Sequence, residues 1–337
     1  MAIKLLVVDD SAFMRKVIGD LISEIEGIKI VGIARNGLEA LENIPRLKPD
    51  VITMDIEMPK LNGIDTLKRV KDKYKIPVIM LSSHSGTDVT MEALEIGAVD
   101  FIEKPANLNA DLVGLKNELE IKIKTAFQIS MPSEKTSNKI KYDNNRVLLN
   151  SIQAVAIGAS TGGPKALFYL ISKIPEKIKV PIFIVQHMPK GFTKSLACRL
   201  DNECNMKVVE AENDMNINRN TIYVAPGDWH MTINENKIKL NSREKLFGVR
   251  PAVDYLFESA SEVYSDKLLG IILTGMGRDG TNGMVSIKEN GGYNLAQSEE
   301  SCVVYGMPRS AVSKGVVDDI MNLETISMNL NKLVKVK

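Results

Sequence analysis

The chain has 337 residues, enough for about two domains, and its 44% hydrophobic and 25% charged content is that of an ordinary folded soluble protein. Lys+Arg 43 against Asp+Glu 42 leaves a net charge of +1, so no overall field favours nucleic acid or an anionic membrane. Cys198, Cys204 and Cys302 are odd in number and lack C-x-x-C spacing, which makes a poor disulfide framework and a poor zinc site and suits a reducing cytosol.

Asp9 and Asp10 interrupt the N-terminal apolar run before it resembles a signal peptide, and runs such as LLGIIL at 268–273 are too short to span a bilayer. A cytoplasmic protein with no direct membrane insertion is expected. Apolar runs at 3–8, 28–33, 51–54, 76–81 and 99–102 alternate with amphipathic stretches at 12–24, 37–46, 63–73, 87–96 and 110–125. Such alternation predicts βαβ units on a parallel sheet. The polar segment 129–150 (ISMPSEKTSNKIKYDNNRVLLN) lacks clear periodicity until its end and reads as a linker. The expected division is therefore a domain over 1–125, a linker over 126–150 and a second α/β domain over 151–337. In the latter, strands are predicted near 152–157, 180–186, 268–273, 293–297 and 316–318, with an antiparallel hairpin within 221–240.

Polar residues collect at the predicted carboxyl ends of the N-terminal strands, where α/β proteins place their sites. Asp9 and Asp10 end the first strand, Asp55 the third and Ser82 the fourth, and Lys104 follows the fifth. Three carboxylates around one point repel unless a hard cation sits among them, and oxygen-only ligands suit Mg²⁺. A carboxylate there can take a phosphoryl group, with the lysine and the metal offsetting charge and Ser82 donating to a phosphoryl oxygen. The motifs VVDDSAFMRK, MDIEMPKLNGID, MLSS and IEKPA resemble two-component receiver domains over 1–125. The resemblance implies a flavodoxin-like five-stranded parallel sheet, phosphorylated on Asp55 by a partner histidine kinase. Asp9 and Asp10 then match its acidic pair, Ser82 its switch position and Lys104 its lysine.

The second domain opens with a strand running into a glycine-rich turn, IGASTGGPKAL, in which Gly158-x-Ser160-x-Gly162 sets a serine on a strand-to-helix corner. A P-loop reading fails, because Pro164 stands where lysine is needed and Ala166 is neither Ser nor Thr. A nucleophilic serine needs a base, and the chain has only three histidines. His84 lies in the first domain, His187 ends the apolar run IFIVQ, and His230 leads into the predicted hairpin, where a structural role is favoured. An orienting carboxylate is available in LLGIILTGMGRDG as Asp279, and the same loop offers backbone amides near Met276 to an oxyanion. That loop is also formally a dinucleotide fingerprint, Gly275-x-Gly277-x-x-Gly280 with Glu299 about 20 residues on. It comes late in the domain and leaves Ser160 and His187 without a role. A nicotinamide enzyme and a non-catalytic regulator acting by partner binding are therefore the competing readings.

The motifs IGASTGGPKAL, VQHMPKGFTKSLACRLD, IYVAPGDWHM, RPAVDYLF, ILTGMGRDG and AQSEESCVVYGMPRSAV resemble the chemotaxis protein-glutamate methylesterases from about 152 to near the end. The resemblance implies a doubly wound, mostly parallel α/β esterase domain with Ser160, His187 and Asp279 as the triad and the Met276 amide in the oxyanion hole. It implies hydrolysis of glutamate γ-methyl esters on methylated chemoreceptors, often with deamidation of glutamines, controlled by a chemotaxis kinase acting on the receiver. No cofactor is expected for the ester step, and Mg²⁺ belongs to the receiver. Two departures stand out: Arg278, where asparagine is frequent in the family, and the loop SREKLFGV before Arg250.

Overall fold

In the computed structural model, which describes residues 2–83, 86–105, 112–130, 152–174 and 178–332, the first unit covers 1–136 and the second 137–337. The first unit alternates β1 (Ile3–Val8), α1 (Ala12–Ser23), β2 (Ile28–Ala34), α2 (Gly37–Leu47), β3 (Val51–Asp55), α3 (Gly63–Lys73), β4 (Val78–Ser82), α4 (Thr87–Ile96), β5 (Asp100–Glu103) and α5 (Leu112–Ser130). Its strands form one parallel sheet in the order β2-β1-β3-β4-β5. β3 and β4 are buried along their whole length, which is why they read as unbroken apolar runs rather than alternating ones. Ser11, Asn36 and Asn62 start α1, α2 and α3 by accepting the N–H three residues on. Helix α5 continues to Ser130, five residues into the segment assigned from composition to a linker; 131–150 and His84 lie outside the described residues.

The second unit comprises β6 (Ala154–Ala159), α6 (Gly163–Ser172), β7 (Ile182–Gln186), α7 (Phe192–Glu203), β8 (Lys207–Glu210), β9 (Thr221–Val224), β10 (His230–Asn234), β11 (Lys237–Asn241), α8 (Val253–Tyr264), β12 (Leu268–Ile272), α9 (Thr281–Glu289), β13 (Tyr293–Gln297), α10 (Met307–Ser313), β14 (Asp319–Met321) and α11 (Leu323–Lys332). Seven of these strands form a wholly parallel sheet ordered β14-β13-β12-β6-β7-β9-β8. The antiparallel hairpin is β10–β11 alone, a separate two-stranded sheet. The predicted hairpin region thus merged two structures: β9, buried throughout, pairs between β7 and β8, and the turn APGDW carries the chain off to the hairpin. The strand expected near 316–318 starts at Asp319, because Val316 still donates to Ala311 O in closing α10. Edge strand β8 has only two apolar residues, Val208 and Val209, too few to stand out in sequence.

The chain runs from β6 to β7, out to the edge strand β8 and back to β9 between them, then crosses to build β12, β13 and β14 on the other side. The order therefore reverses at β6, and a crevice opens at its carboxyl end. Beneath it, Ala154, Ala156, Phe183 and Tyr223 pack against Val253, Leu256, Phe257 and Ala260 of α8. A Cβ on Gly158 would lie 2.4 Å from Val253 Cγ1, so glycine at that point lets the first turn of α8 settle on β6.

Candidate functional sites

Ser160 follows β6 at that crevice, partly exposed, and its position is fixed by main-chain bonds to both flanking strands. Ser160 N donates to Thr274 O beyond β12 (3.0 Å), while His187 N beyond β7 donates to Ala159 O (3.1 Å). The turn into α6 uses Gly162 at φ +76°, where a Cβ would also meet Val303 Cβ at 2.5 Å. Ser160 therefore stands three residues before Gly163, the first residue of α6, whose N-terminal amides favour developing negative charge. Among the described residues its Oγ makes no hydrogen bond.

His187 and Asp279 meet directly: Nε2 lies 2.7 Å from Asp279 Oδ2, with 10% of the His187 side chain exposed and 2% of the Asp279 side chain. The carboxylate also accepts from Val253 N (2.6 Å), Asp254 N (3.0 Å) and Gly280 N (2.9 Å). The first amides of α8 thus point at Asp279, and the helix, whose Ala252 provides no side-chain cap, is capped from another part of the chain. Because an ionised carboxylate only accepts, Nε2 bears the imidazole proton and Nδ1 keeps the lone pair. The ring nitrogens thus exchange the roles they have in the serine-protease triad. Met276 lies on the same loop as Asp279 and is exposed, and the preceding Gly275 O accepts from Gly306 N and Met307 N at 3.0 and 2.8 Å.

In the first unit, Asp9, Asp10, Asp55, Ser82 and Lys104 come together at the carboxyl edge of the sheet. Lys104 Nζ stands 2.9 Å from Asp9 Oδ2 and 2.7 Å from Asp55 Oδ2. Burial pushes the Asp55 carboxyl up to about 6; Lys104 works against this, and the charges of Asp9 and Asp10 add to it. Carboxylate oxygens of Asp9, Asp10 and Asp55 lie within 4.8 Å of one another. Asp9 Oδ2, though paired in charge with Lys104, is buried and receives no directed hydrogen bond. One lysine against three carboxylates leaves a surplus of negative charge, and the all-oxygen donor set fits a hard divalent cation such as Mg²⁺. The Ser82 hydroxyl, fully buried, is 2.6 Å from Thr90 Oγ1, which gives its own proton to Gly86 O at 2.7 Å. A cavity of about 560 Å³ lined by Asp10, Ile56, Met58 and Asn62 opens beside the cluster.

Residues 155–330 match the family model for CheB methylesterase, and residues 5–113 that for the response regulator receiver domain. A protein-glutamate methylesterase/protein-glutamine glutaminase of Clostridium acetobutylicum is 44% identical over 344 residues, covering 99% of this chain and 98% of that one. The chain belongs to the CheB methylesterase family. A relative of the same description from Thermotoga maritima is 43% identical over 98% of both chains. The crystal structure of the Thermotoga maritima CheB methylesterase catalytic domain superposes with a TM-score of 0.52 at 42% identity, covering 54% of this chain and 99% of that one.

The dinucleotide reading of the 275–280 loop falls with that membership, and the structure supplies the physical reason. The amides at the start of α9, where a pyrophosphate would sit, face a carboxylate: Gly283 N donates to Asp254 Oδ1 at 2.8 Å. Glu299 pairs with Arg309 at 3.2 Å. His230 is fully buried and structural, its Nδ1 accepting from Ala252 N (3.1 Å) and its Nε2 donating to Glu244 O (3.1 Å). Burial lowers its pKa, so it serves neutral. Sequence reasoning missed the supports of the CheB-type site. Gln186 Nε2 donates to both Ser160 O (3.0 Å) and His187 O (3.2 Å), tying two site turns with one amide. Thr274 Oγ1 donates to Thr161 O (3.0 Å), and Gln297 Oε1 receives Thr274 N (2.8 Å). The usable signal was a polar residue closing an otherwise apolar strand, as Gln186 does in IFIVQ.

Proposed function

We propose that this chain is a serine hydrolase that cleaves glutamate γ-methyl esters, and deamidates glutamines, on methylated chemoreceptors under control of its receiver. The observation that carries the reading is the run of contacts from the α8 amides through Asp279 to His187 Nε2, beside the strand end that bears Ser160. Ser160 Oγ attacks the side-chain carbonyl carbon while His187 Nδ1 takes its proton. Asp279 holds the ring and offsets its positive charge. The oxyanion is met by the Met276 amide and the positive end of α6. The imidazolium returns the proton to the departing ester oxygen or amide nitrogen, which leaves as methanol or ammonia, and water then clears the acyl-serine with His187 again as base.

In the receiver, Asp55 takes a phosphoryl group from a chemotaxis histidine kinase, Lys104 pairs with the added charge, and Ser82 exchanges Thr90 for a phosphoryl oxygen. Mg²⁺, held by Asp9, Asp10 and Asp55, supplies charge neutralisation when bound. Among the described residues no helix is long and apolar enough to cross a membrane. Methanol release from methylated receptor membranes tests the reading: Ser160→Ala protein with wild-type turnover would end it.

A further inference from the structure

The loop before Asp279 and the turn before Arg250 meet in the structure. The Arg278 guanidinium lies over the ring of Phe247, 4.8 Å from its centroid. Phe247 is 44% exposed, at the tip of a turn closed by mutual bonds between Leu246 and Val249 (3.2 and 3.0 Å). Its φ of +52°, rare for an aromatic residue, is followed by Gly248 at φ +81°. The base of the loop is fixed, since Arg250 Nη1 donates to Ser242 O and Arg243 O at 2.9 Å each, and His230 to Glu244 O. Phe247 is therefore an anchored platform.

Arg278 is exposed and, among the described residues, its guanidinium makes no hydrogen bond or ion pair. Stacking occupies its face and leaves the N–H groups at its edge free. Its neighbour Asp279 is no competitor, because that carboxylate is buried and already accepts four bonds. A cation held flat at the rim, with its donors unspent, is built for a carboxylate. The reacting group on the substrate is a neutral ester or amide, so the carboxylate must belong to a neighbouring residue. On a helical substrate, positions three and four away share the reacting face.

We infer that Arg278, held by Phe247, is a specificity element that selects glutamyl substrates carrying a second acidic side chain beside the reacting one. This rests on the hydrolytic reading above. The test uses the full chain with a phosphodonor and two helical peptides, each with one glutamate γ-methyl ester and with either Glu or Gln four residues away. Methanol release gives kcat/KM for each. The wild-type chain prefers the Glu peptide by about 3- to 10-fold, and the preference shrinks in about 0.5 M NaCl. Arg278→Gln abolishes the preference, Arg278→Glu reverses it, and Phe247→Ala weakens it while Phe247→Tyr retains it. If Arg278→Gln and Arg278→Glu keep the wild-type preference, the inference is overturned with the hydrolytic reading intact. Methanol from neither peptide with the wild-type chain would remove both.

Discussion

Asp279 holds its charge against three main-chain amides and the His187 ring at once, so its substitution does more than remove a negative charge. In Asp279→Asn the new amide N–H₂ must face N–H donors, whichever way it turns. Methanol release should drop by on the order of 10⁴-fold, and stability should fall by roughly 1–3 kcal/mol from unsatisfied buried donors. Ser160→Ala gives the contrasting result: a comparable loss of rate with unchanged urea unfolding, since the hydroxyl has no hydrogen bond to lose. Equal stability losses in the two variants would contradict the Asp279 cradle. Gln186 acts through position alone. Gln186→Leu takes the side-chain donor from His187 O and leaves Ser160 O with Gly163 N alone, and it should lower kcat by about 10-fold or more with less change in KM, because the link between the turns carrying Ser160 and His187 is lost. A purely raised KM would argue against that role. Ser160, His187 and Asp279 could be singled out as candidates because each closes an apolar run or lies in a glycine-rich loop. Gln186 also closes an apolar run, but a glutamine has no chemistry of its own there, so its strand-end position was the one signal it gave.

Helices α8 and α9 cap each other. Asp279, just before α9, takes the first amides of α8, and Asp254, in the first turn of α8, takes Gly283 N from α9. Two carboxylates are thereby buried close together, and burial foremost, then the Asp279 charge, pushes Asp254 up to about 6. A folded pKa above the ordinary 3.8 means that the folded form binds this proton more tightly. Stability from this group is thus greatest near pH 4 and is lost as pH rises toward 6 and beyond. Asp254→Asn keeps the acceptor for Gly283 and removes the charge. It should stabilise the protein by about 2 kcal/mol at pH 8 and far less near pH 4, read from urea midpoints. An equal gain at both pH values would rule out the charge as its cause. This exchange also shows why the start of α8 carried no sequence signal. Ala252 cannot cap, and the capping carboxylate lies 26 residues further along. The strands, by contrast, were legible because a parallel sheet covered on both faces needs unbroken apolar runs. The exceptions were β8, too short, and β9, read as part of the hairpin beside it.

The residues proposed for hydrolysis all lie in the second unit, which leaves the receiver a regulatory part. Acetyl phosphate with Mg²⁺ should raise methanol release by the full chain, within the roughly 5- to 150-fold that a coupling of about 1–3 kcal/mol provides. EDTA or Asp55→Asn should remove that response without abolishing basal turnover. A response that survives in Asp55→Asn would move the phosphoacceptor elsewhere. Within the second unit, strand order has a consequence for the chain as it is made. β6 is the first of its seven strands to be synthesised, yet it ends up in the middle of the sheet, and β12 beside it arrives only after the hairpin and α8. A ribosome that has reached Lys267 has produced Ser160, His187 and the helix that will grip the carboxylate, but not Asp279. One flank of β6 is still bare, and the contact between His187 and Asp279 must wait for a residue 92 positions downstream of the histidine. A nascent chain therefore carries Ser160, its proposed nucleophile, through about a third of translation before Asp279 is made, and gains the power to cut esters only as the sheet closes around it.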